Sequence, residues 1–487
     1  MEALQIREAY GPMVVMTSIM VIFASALFFQ FQRQQSQSRD PRLPPIVTDI
    51  GFKDTGKLFN APTAPRDVLQ LARRVGSKVF ELPLLPGRAV SLFIITDYKA
   101  ARKALEDVKS TKFKPLNLFF FRTTHNGPNI VIAEGHRWKH VRKNTSAAFS
   151  PANIKKMIPP IDMILDNWIR DVLEPSIEAN TSIDILDEMN KITANVIANV
   201  AFDYEFAPGE REQFLFDLST CWQVFGADAG SNILMQLQYI SLLYPSIWRA
   251  KFAAKRMYKF CEKMMNDYRK KVGTKRQEHK LIDMILHDDE YANDGERYRD
   301  MVAYVIAGFD TTANTLSFAL RELSRYPDEQ TKLRKALQAC KSPDEERNCP
   351  QLKMVLKEIT RMFPAAALGS VRQLGRDLVL PSGNIIPKDS LVNTNYYAIQ
   401  RDEELFENPD AFHPSRWENP TPEQTMSIMT FSLGRRSCQG QGLANIELNL
   451  ILHRLISKYS FEIEEEGIEA NVILFKPVGT TLLVKRV

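Results

Sequence analysis

The stretch that decides the reading is Phe431-Ser432-Leu433-Gly434-Arg435-Arg436-Ser437-Cys438-Gln439-Gly440. The apolar helical run Leu443-Ala444-Asn445-Ile446-Glu447-Leu448-Asn449-Leu450-Ile451-Leu452 follows it. One cysteine stands here with an aromatic seven residues before it, a glycine four before, an arginine two before and a glycine two after. This is a setting for a thiolate. Gly434 and Gly440 let the backbone bend tightly around the sulfur, so that amide N–H groups face its charge. A helix that begins just after Cys438 adds its positive end, which favours the anionic sulfur. Arg436 adds a cation, and Phe431 can shield one side from water. A buried free thiol is the commonest fate of a cysteine, but it leaves the other positions of the pattern without a use.

Upstream, Glu358-Ile359-Thr360-Arg361 lies on a helical pattern that ends at Phe363-Pro364. Glu and Arg three apart pair on one face, usually as a solvated salt bridge of small value. Farther upstream, residues 297–326 form a long helical pattern that stops before Pro327. Its middle, Ala307-Gly308-Phe309-Asp310-Thr311-Thr312, holds poor helix formers. Small residues there let a planar cofactor or dioxygen lie against the backbone, and a threonine hydroxyl and a carboxylate can pass protons inward. A kinked structural helix explains the same residues equally well. In Gly135-His136-Arg137-Trp138-Lys139-His140-Val141-Arg142-Lys143, Trp138 and Arg142 share a helix face. An indole N–H beside a guanidinium makes a receptor for a carboxylate; a surface cation–π pair is the alternative. Arg137, Lys139 and Lys143 extend a basic face, either solvated or suited to an acidic electron-transfer partner.

Residues 13–29 carry no charge, and a helix of that length spans about 26 Å, near the hydrocarbon thickness of a bilayer. Arg33, Arg39 and Arg42 follow, while Glu2, Arg7 and Glu8 nearly cancel. The expectation is an uncleaved anchor that leaves the bulk of the chain in the cytosol. A signal peptide cut near Ala24-Ser25-Ala26 and a core helix are the rivals. Pro41-Arg42-Leu43-Pro44-Pro45 reads as a stiff spacer. Residues 1–45 are therefore expected to be anchor and linker, and 46–487 the catalytic domain. Within the latter, 78–96 reads as two strands about Pro86-Gly87-Arg88. A short helix runs from Tyr98 to Val108, and a loop from Phe113 to Ile132 carries Phe119-Phe120-Phe121. Residues 150–290 are mostly helical, with an apolar run over 214–248. The end, 461–487, reads as a β-hairpin turning near Pro477-Val478-Gly479.

Length alone, 487 residues, allows about three domains. The net charge of +5 is too small an excess to argue for nucleic acid. Five cysteines, at 221, 261, 340, 349 and 438, are odd in number and contain no Cys-x-x-Cys pair, which points to a reducing compartment without a disulfide framework. Cys340 and Cys349 can meet across a loop.

From about residue 41 to its end the chain resembles the cytochrome P-450 superfamily. Phe431 to Gly440 fills every position of that family's haem-binding signature, Phe-x-x-Gly-x-Arg-x-Cys-x-Gly. Trp138-x-x-x-Arg142, Ala307-Gly308-x-Asp310-Thr311-Thr312, Glu358-x-x-Arg361 and the loop Phe412-His413-Pro414-Ser415-Arg416-Trp417 follow the family's order. The resemblance implies a mainly α fold with small β-sheets, a single haem-binding domain behind an N-terminal transmembrane anchor. It implies haem b with Cys438 as the axial iron ligand, donating electron density that favours O–O cleavage. Trp138 and Arg142 then hold one propionate and Arg372 the other, with Phe431, Gly434, Arg436, Gly440, Ala307 and Gly308 around the group. Asp310 and Thr311 deliver protons, and Glu358, Arg361 and Arg416 lock the segment leading to the cysteine.

The implied activity is monooxygenation with O2 of an apolar substrate: a lipid, sterol, terpenoid or xenobiotic. The chain carries no flavin domain, so NADPH serves indirectly, through NADPH-cytochrome P-450 reductase, with cytochrome b5 as a second donor. The implied place is the endoplasmic reticulum membrane, in contact with lipid, with the catalytic domain cytosolic and without nucleic acid. Three rival readings remain open. They are a haem-thiolate isomerase or dehydratase acting on a hydroperoxide, a non-catalytic haem sensor, and an anchored helical scaffold without cofactor.

Overall fold

The computed structural model describes residues 40–83, 91–112, 127–224, 243–273 and 279–487. The expected anchor over 13–29, the Pro86-Gly87-Arg88 turn, the Phe119–Phe121 aromatics and most of the 214–248 run lie outside the described residues. The chain folds mainly as helices with small sheets. Five helices position the site: α1 (Gly135–Thr145), α2 (Ile185–Phe202), α3 (Asp294–Arg325), α4 (Pro350–Met362) and α5 (Gln441–Lys458).

The axis is α3. Asn293 caps it by accepting the backbone N–H of Glu296. Asp294 and Glu296 lie in its first turn and Arg325 in its last, the charges its dipole prefers. Pro327 opens the next helix, so α3 stops where the sequence predicts. It runs for 32 residues without a break through Ala307–Thr312. The hydroxyls of Thr311 and Thr312 donate back to the carbonyls of Ala307 (3.0 Å) and Gly308 (3.4 Å), so neither is left without an acceptor inside the helix. From Asp300 to Leu323 the helix is buried except at three positions: Ala307 is exposed, and Gly308 and Thr311 are half-buried. The spacing puts the three on one face, opposite the buried Phe309 and Asp310. An exposed face in the middle of a core helix means an internal cavity. Gly308 has a second reason to be glycine: a Cβ there would lie 2.6 Å from Ile197 on α2.

A five-stranded sheet runs Val79–Pro83, Ser91–Ile95, Leu391–Thr394, Ser370–Gln373, Thr111–Lys112. Its register sets Lys112 directly opposite Arg372. The C-terminal segment is not the single hairpin expected. Ile468–Val472 pairs with Leu474–Val478 and turns at Ile473, whose φ is +67°. Thr481–Arg486 pairs instead with Tyr459–Glu465 and with Ile183–Asp184. Pro477-Val478-Gly479 therefore leads from one sheet into the next. Alternating apolar residues mark a strand but do not name its partner, and this pairing is non-local. All five cysteines are free. Among the described residues, no helix is long and apolar enough to cross a membrane.

Candidate active site

The Cys438 loop and the open face of α3 meet across one cavity of about 380 Å³. The loop closes on itself through the Cys438 N–H, which donates to Phe431 O at 2.8 Å. Gly434 is required there twice. Its φ is +68°, and a Cβ would lie 2.7 Å from the carbonyl of Leu105. Gly440 differs from the expectation. Its φ of −84° suits any residue, and a Cβ there would meet nothing within 4 Å. The missing side chain leaves open space beside the sulfur, on the cavity wall. Cys438 is exposed, but to this cavity rather than to bulk water. Desolvation pushes its thiol pKa up; the N–H groups of Gly440 and Gln441 and the charge of Arg142 pull against that. The start of α5 thus offsets only part of the burial, and a thiolate here still calls for a cation beside it.

Arg436 is not that cation. Its guanidinium pairs with Glu134 at 2.6 Å and donates to Ala133 O at 2.6 Å, which ties the loop to the segment before α1. Arg142 lines the cavity and its guanidinium has no hydrogen-bond partner among the described residues. Trp138 also lines it, with its indole N–H unpartnered among those residues. Its ring serves in addition as a shelf for Arg436, 3.9 Å from the centroid, and Arg435, 5.6 Å. Arg372 is 2 % exposed, and among the described residues its donors reach only Ser370 Oγ and Val371 O. Burial pushes its pKa down. Lys112, which the sequence did not single out, faces it across the ladder. Desolvation holds the Lys112 amine well below the usual lysine range, the charges of Arg372 and Arg436 add to that, and Glu134 opposes.

Like charges set opposite each other on a sheet are destabilising. Lys112, Arg142 and Arg372 at one cavity, with Glu134 already serving Arg436, make a well that lacks anions. Such residues fit haem: its two carboxylates answer the cations, its iron answers the thiol, and its flat ring suits the side-chain-free wall at Gly308 and Gly440. Losing one charge-assisted contact costs about 1.5–3 kcal/mol. Arg372→Leu is therefore expected to weaken haem retention roughly ten- to hundredfold, read as the rate of haem transfer to an excess of an apo-globin acceptor.

Thr311 faces the cavity with Ala307 and Gly308. Asp310 does not. It is 2 % exposed and accepts hydrogen bonds from the Trp222 indole (3.1 Å) and the Asn314 amide (3.4 Å), with the Lys476 ammonium 3.9 Å away. The Asp310 side chain leaves the helix about 100° round from that of Thr311, on the side packed against Trp222 and Lys476 rather than on the open face. Glu447, on α5, is a residue the sequence reading passed over. It is fully buried at the cavity edge, neither carboxyl oxygen has a hydrogen-bond partner among the described residues, and burial raises its pKa well above the usual range. The signal was a lone acid in an apolar helical run.

Glu358, Arg361 and Arg416 do come together. Arg361 holds both Glu358 oxygens (2.8 and 2.9 Å), Arg416 Nε donates to Glu358 Oε1 (2.8 Å), and the Trp417 indole donates to Oε2 (2.9 Å). The remaining Arg361 donors reach the carbonyls of Gln400 (3.0 Å) and Pro409 (2.7 Å). Gln400 in turn donates to Thr360 O and Arg361 O and accepts the Met429 N–H, two residues before Phe431. The network thus reaches the base of the cysteine loop.

A family model described as Cytochrome P450 matches residues 56–483. The 25-hydroxyvitamin D-1 alpha hydroxylase, mitochondrial, of Mus musculus is 39% identical over 190 residues, 37% of this chain and 36% of its own length. Cytochrome P450 3A5 of Homo sapiens is 27% identical over 352 residues, covering 68% and 69%. The 1,25-dihydroxyvitamin D(3) 24-hydroxylase, mitochondrial, of Mus musculus is 25% identical over 347 residues, covering 68% and 66%. The chain thus spans only about a third of the length of the first of these relatives. Two of the three carry "mitochondrial" in their names, which overturns the endoplasmic reticulum assignment. The physical reason lies in the signal used: an uncharged run of 17 residues reports partition into a bilayer, not which organelle owns the bilayer. With its signature cysteine, its cation well and its opened long helix on one cavity, and with the family model covering most of its length, the chain belongs to the cytochrome P450 family.

Proposed function

We propose that the chain is a haem-thiolate monooxygenase that places one atom of O2 into an apolar small molecule. The observation that carries this is the meeting of Cys438 and the Ala307–Gly308–Thr311 face across one cavity. Haem held by a thiolate supplies dioxygen activation there. This chain's own residues do the rest. Cys438 holds the iron, Lys112, Arg142 and Arg372 with the Trp138 N–H orient the group through its carboxylates, and Ile197, Ala365 and Ala366 present an apolar wall to the guest. Thr311 gives its proton to Ala307 O, so its oxygen lone pairs are free to hold a water and its proton chain at the cavity. Asp310 joins that chain only after leaving Trp222 and Lys476. Electrons come from a separate redox protein, with NADPH as their source. The names of two relatives make vitamin D compounds the first substrates to try.

The experiment is turnover under isotopically labelled dioxygen. One labelled oxygen in the product is expected; product without label would mean the isomerase reading. Thr311→Ala is expected to lower product formed per NADPH roughly 100-fold, the low end of what proton transfer contributes, with hydrogen peroxide in its place. Unchanged coupling removes Thr311 from the proton path.

A further inference from the structure

Gln439, the residue after the cysteine, is tied to two other elements of the site. Its Nε2 donates to Thr145 Oγ1 at 3.0 Å and reaches Arg142 O at 3.4 Å, both in the last turn of α1. Thr145 is fully buried and gives its own proton to Val141 O at 2.6 Å. Its lone pairs are then free to accept from Gln439 and from the Tyr304 O–H, 2.7 Å away. Tyr304 stands on α3, three residues before Ala307, and its O–H also points at Gln439 Oε1 at 3.3 Å. The phenol has one proton, shared between a near and a far acceptor. Burial pushes the Tyr304 pKa up, so it stays a donor. Phe149, stacked on it with centroids 6.2 Å apart, confines the ring.

These bonds fix a particular peptide. The backbone donors that act on the Cys438 sulfur are the N–H groups of Gly440 and Gln441. The Gly440 N–H belongs to the peptide that begins at Gln439. Gly440 itself has no side chain to hold that peptide, and no atom lies within 4 Å of where its Cβ would be. The side chain that can hold it is Gln439.

We propose that Gln439 is a positioning residue: anchored by Thr145 and Tyr304, it keeps the Gly440 N–H on the Cys438 sulfur, while the Gln441 N–H is held by the first bond of α5, and so sets how strongly that sulfur donates to bound iron. This rests on the reading of Cys438 as the haem ligand. Hydrogen bonds to a ligating sulfur withdraw electron density and raise the reduction potential. The ring of bonds also couples the long helix on one side of the cavity to the cysteine on the other.

The test uses the haem-loaded protein. Gln439→Leu and Thr145→Val each remove the anchor at similar volume; Thr145→Ser keeps the hydroxyl. Gln439→Leu and Thr145→Val are expected to move the ferric–ferrous equilibrium about fivefold toward ferric, or about 40 mV at ~59 mV per tenfold change for one electron. The double variant should move no further than the larger single one, because one chain is being cut twice. Thr145→Ser should stay at the wild-type potential, and the carbon monoxide complex of Gln439→Leu should lose its thiolate-type Soret band several-fold faster. A wild-type potential in folded Gln439→Leu overturns the proposal, as does an additive double variant. If Gln439→Leu does not load haem, Thr145→Val and Tyr304→Phe decide: unmoved potentials in both overturn it. A wild-type protein without the thiolate band rejects the haem-thiolate reading instead, whereas that band with unmoved potentials rejects only the role of Gln439.

Discussion

Cys438→Ala is expected to abolish the thiolate-ligated Soret band of the reduced, carbon monoxide-treated protein and to reduce product formation to background. The sulfur is the thiol, a soft ligand for iron, that the loop presents to the cavity, and Gly440 leaves open space beside it. Alanine keeps the loop, because the bond that closes it is made by the backbone N–H of residue 438 to Phe431 O. The variant should therefore keep its far-ultraviolet circular dichroism. A normal carbon monoxide spectrum in this variant would falsify the ligand assignment.

The second large effect is on stability. Glu358 and its partner Arg361 are fully buried, and the Arg416 side chain is nearly so. Glu358→Ala would leave the Arg361 and Arg416 charges buried without their carboxylate, a loss of about 3–5 kcal/mol. That is a large part of the stability of an ordinary domain. We expect poor recovery of holoprotein, a lowered melting temperature, and haem loss from a loop no longer held at Met429. The pH dependence has a definite sign. Burial alone would push the Glu358 carboxyl up; the Arg361 hydrogen bonds, the charges of Arg361 and Arg416 and the His413 N–H outweigh it and hold the pKa below its ordinary 4.5. A carboxylate with a lowered folded pKa stabilises fully above its unfolded value, and the contribution is lost as pH falls through the folded one. Wild-type melting temperatures should thus fall on acidification below about pH 4.5, and Glu358→Gln should flatten that part of the profile. Equal slopes in the two proteins would mean that other carboxylates carry the acid response.

Much of this site was legible in the sequence because its residues are close together in the chain. Phe431 to Gly440 is one loop, Trp138 and Arg142 are one helical turn apart, and Ala307, Gly308 and Thr311 sit on one helix face. Short-range geometry turns such spacings into positions. Asp310 shows where that fails. Its place in the motif beside Thr311 suggested a shared task, yet its side chain goes to Trp222 and Lys476, which lie 88 residues before it and 166 after it. Lys112 shows the converse: nothing local marks it, and it becomes part of the site because a ladder sets it opposite Arg372.

The sequence by itself determined the mainly helical class with small sheets, the extent of the long helix to within a few residues, and the cysteine to which the site is built. The class follows from the family resemblance, the helix and the cysteine from periodicity and short-range spacing, which a chain carries before it folds. Only the tertiary structure decided which side chains share the cavity. It turned Asp310 away and committed Arg436 to Glu134. It put Arg142 on the same cavity as the thiol, and it brought Lys112 to Arg372 and Gln439 to Thr145 and Tyr304. Each of these depends on contacts between segments far apart in the chain, and on burial, which changes the standing of a charge only once the surrounding residues have excluded water.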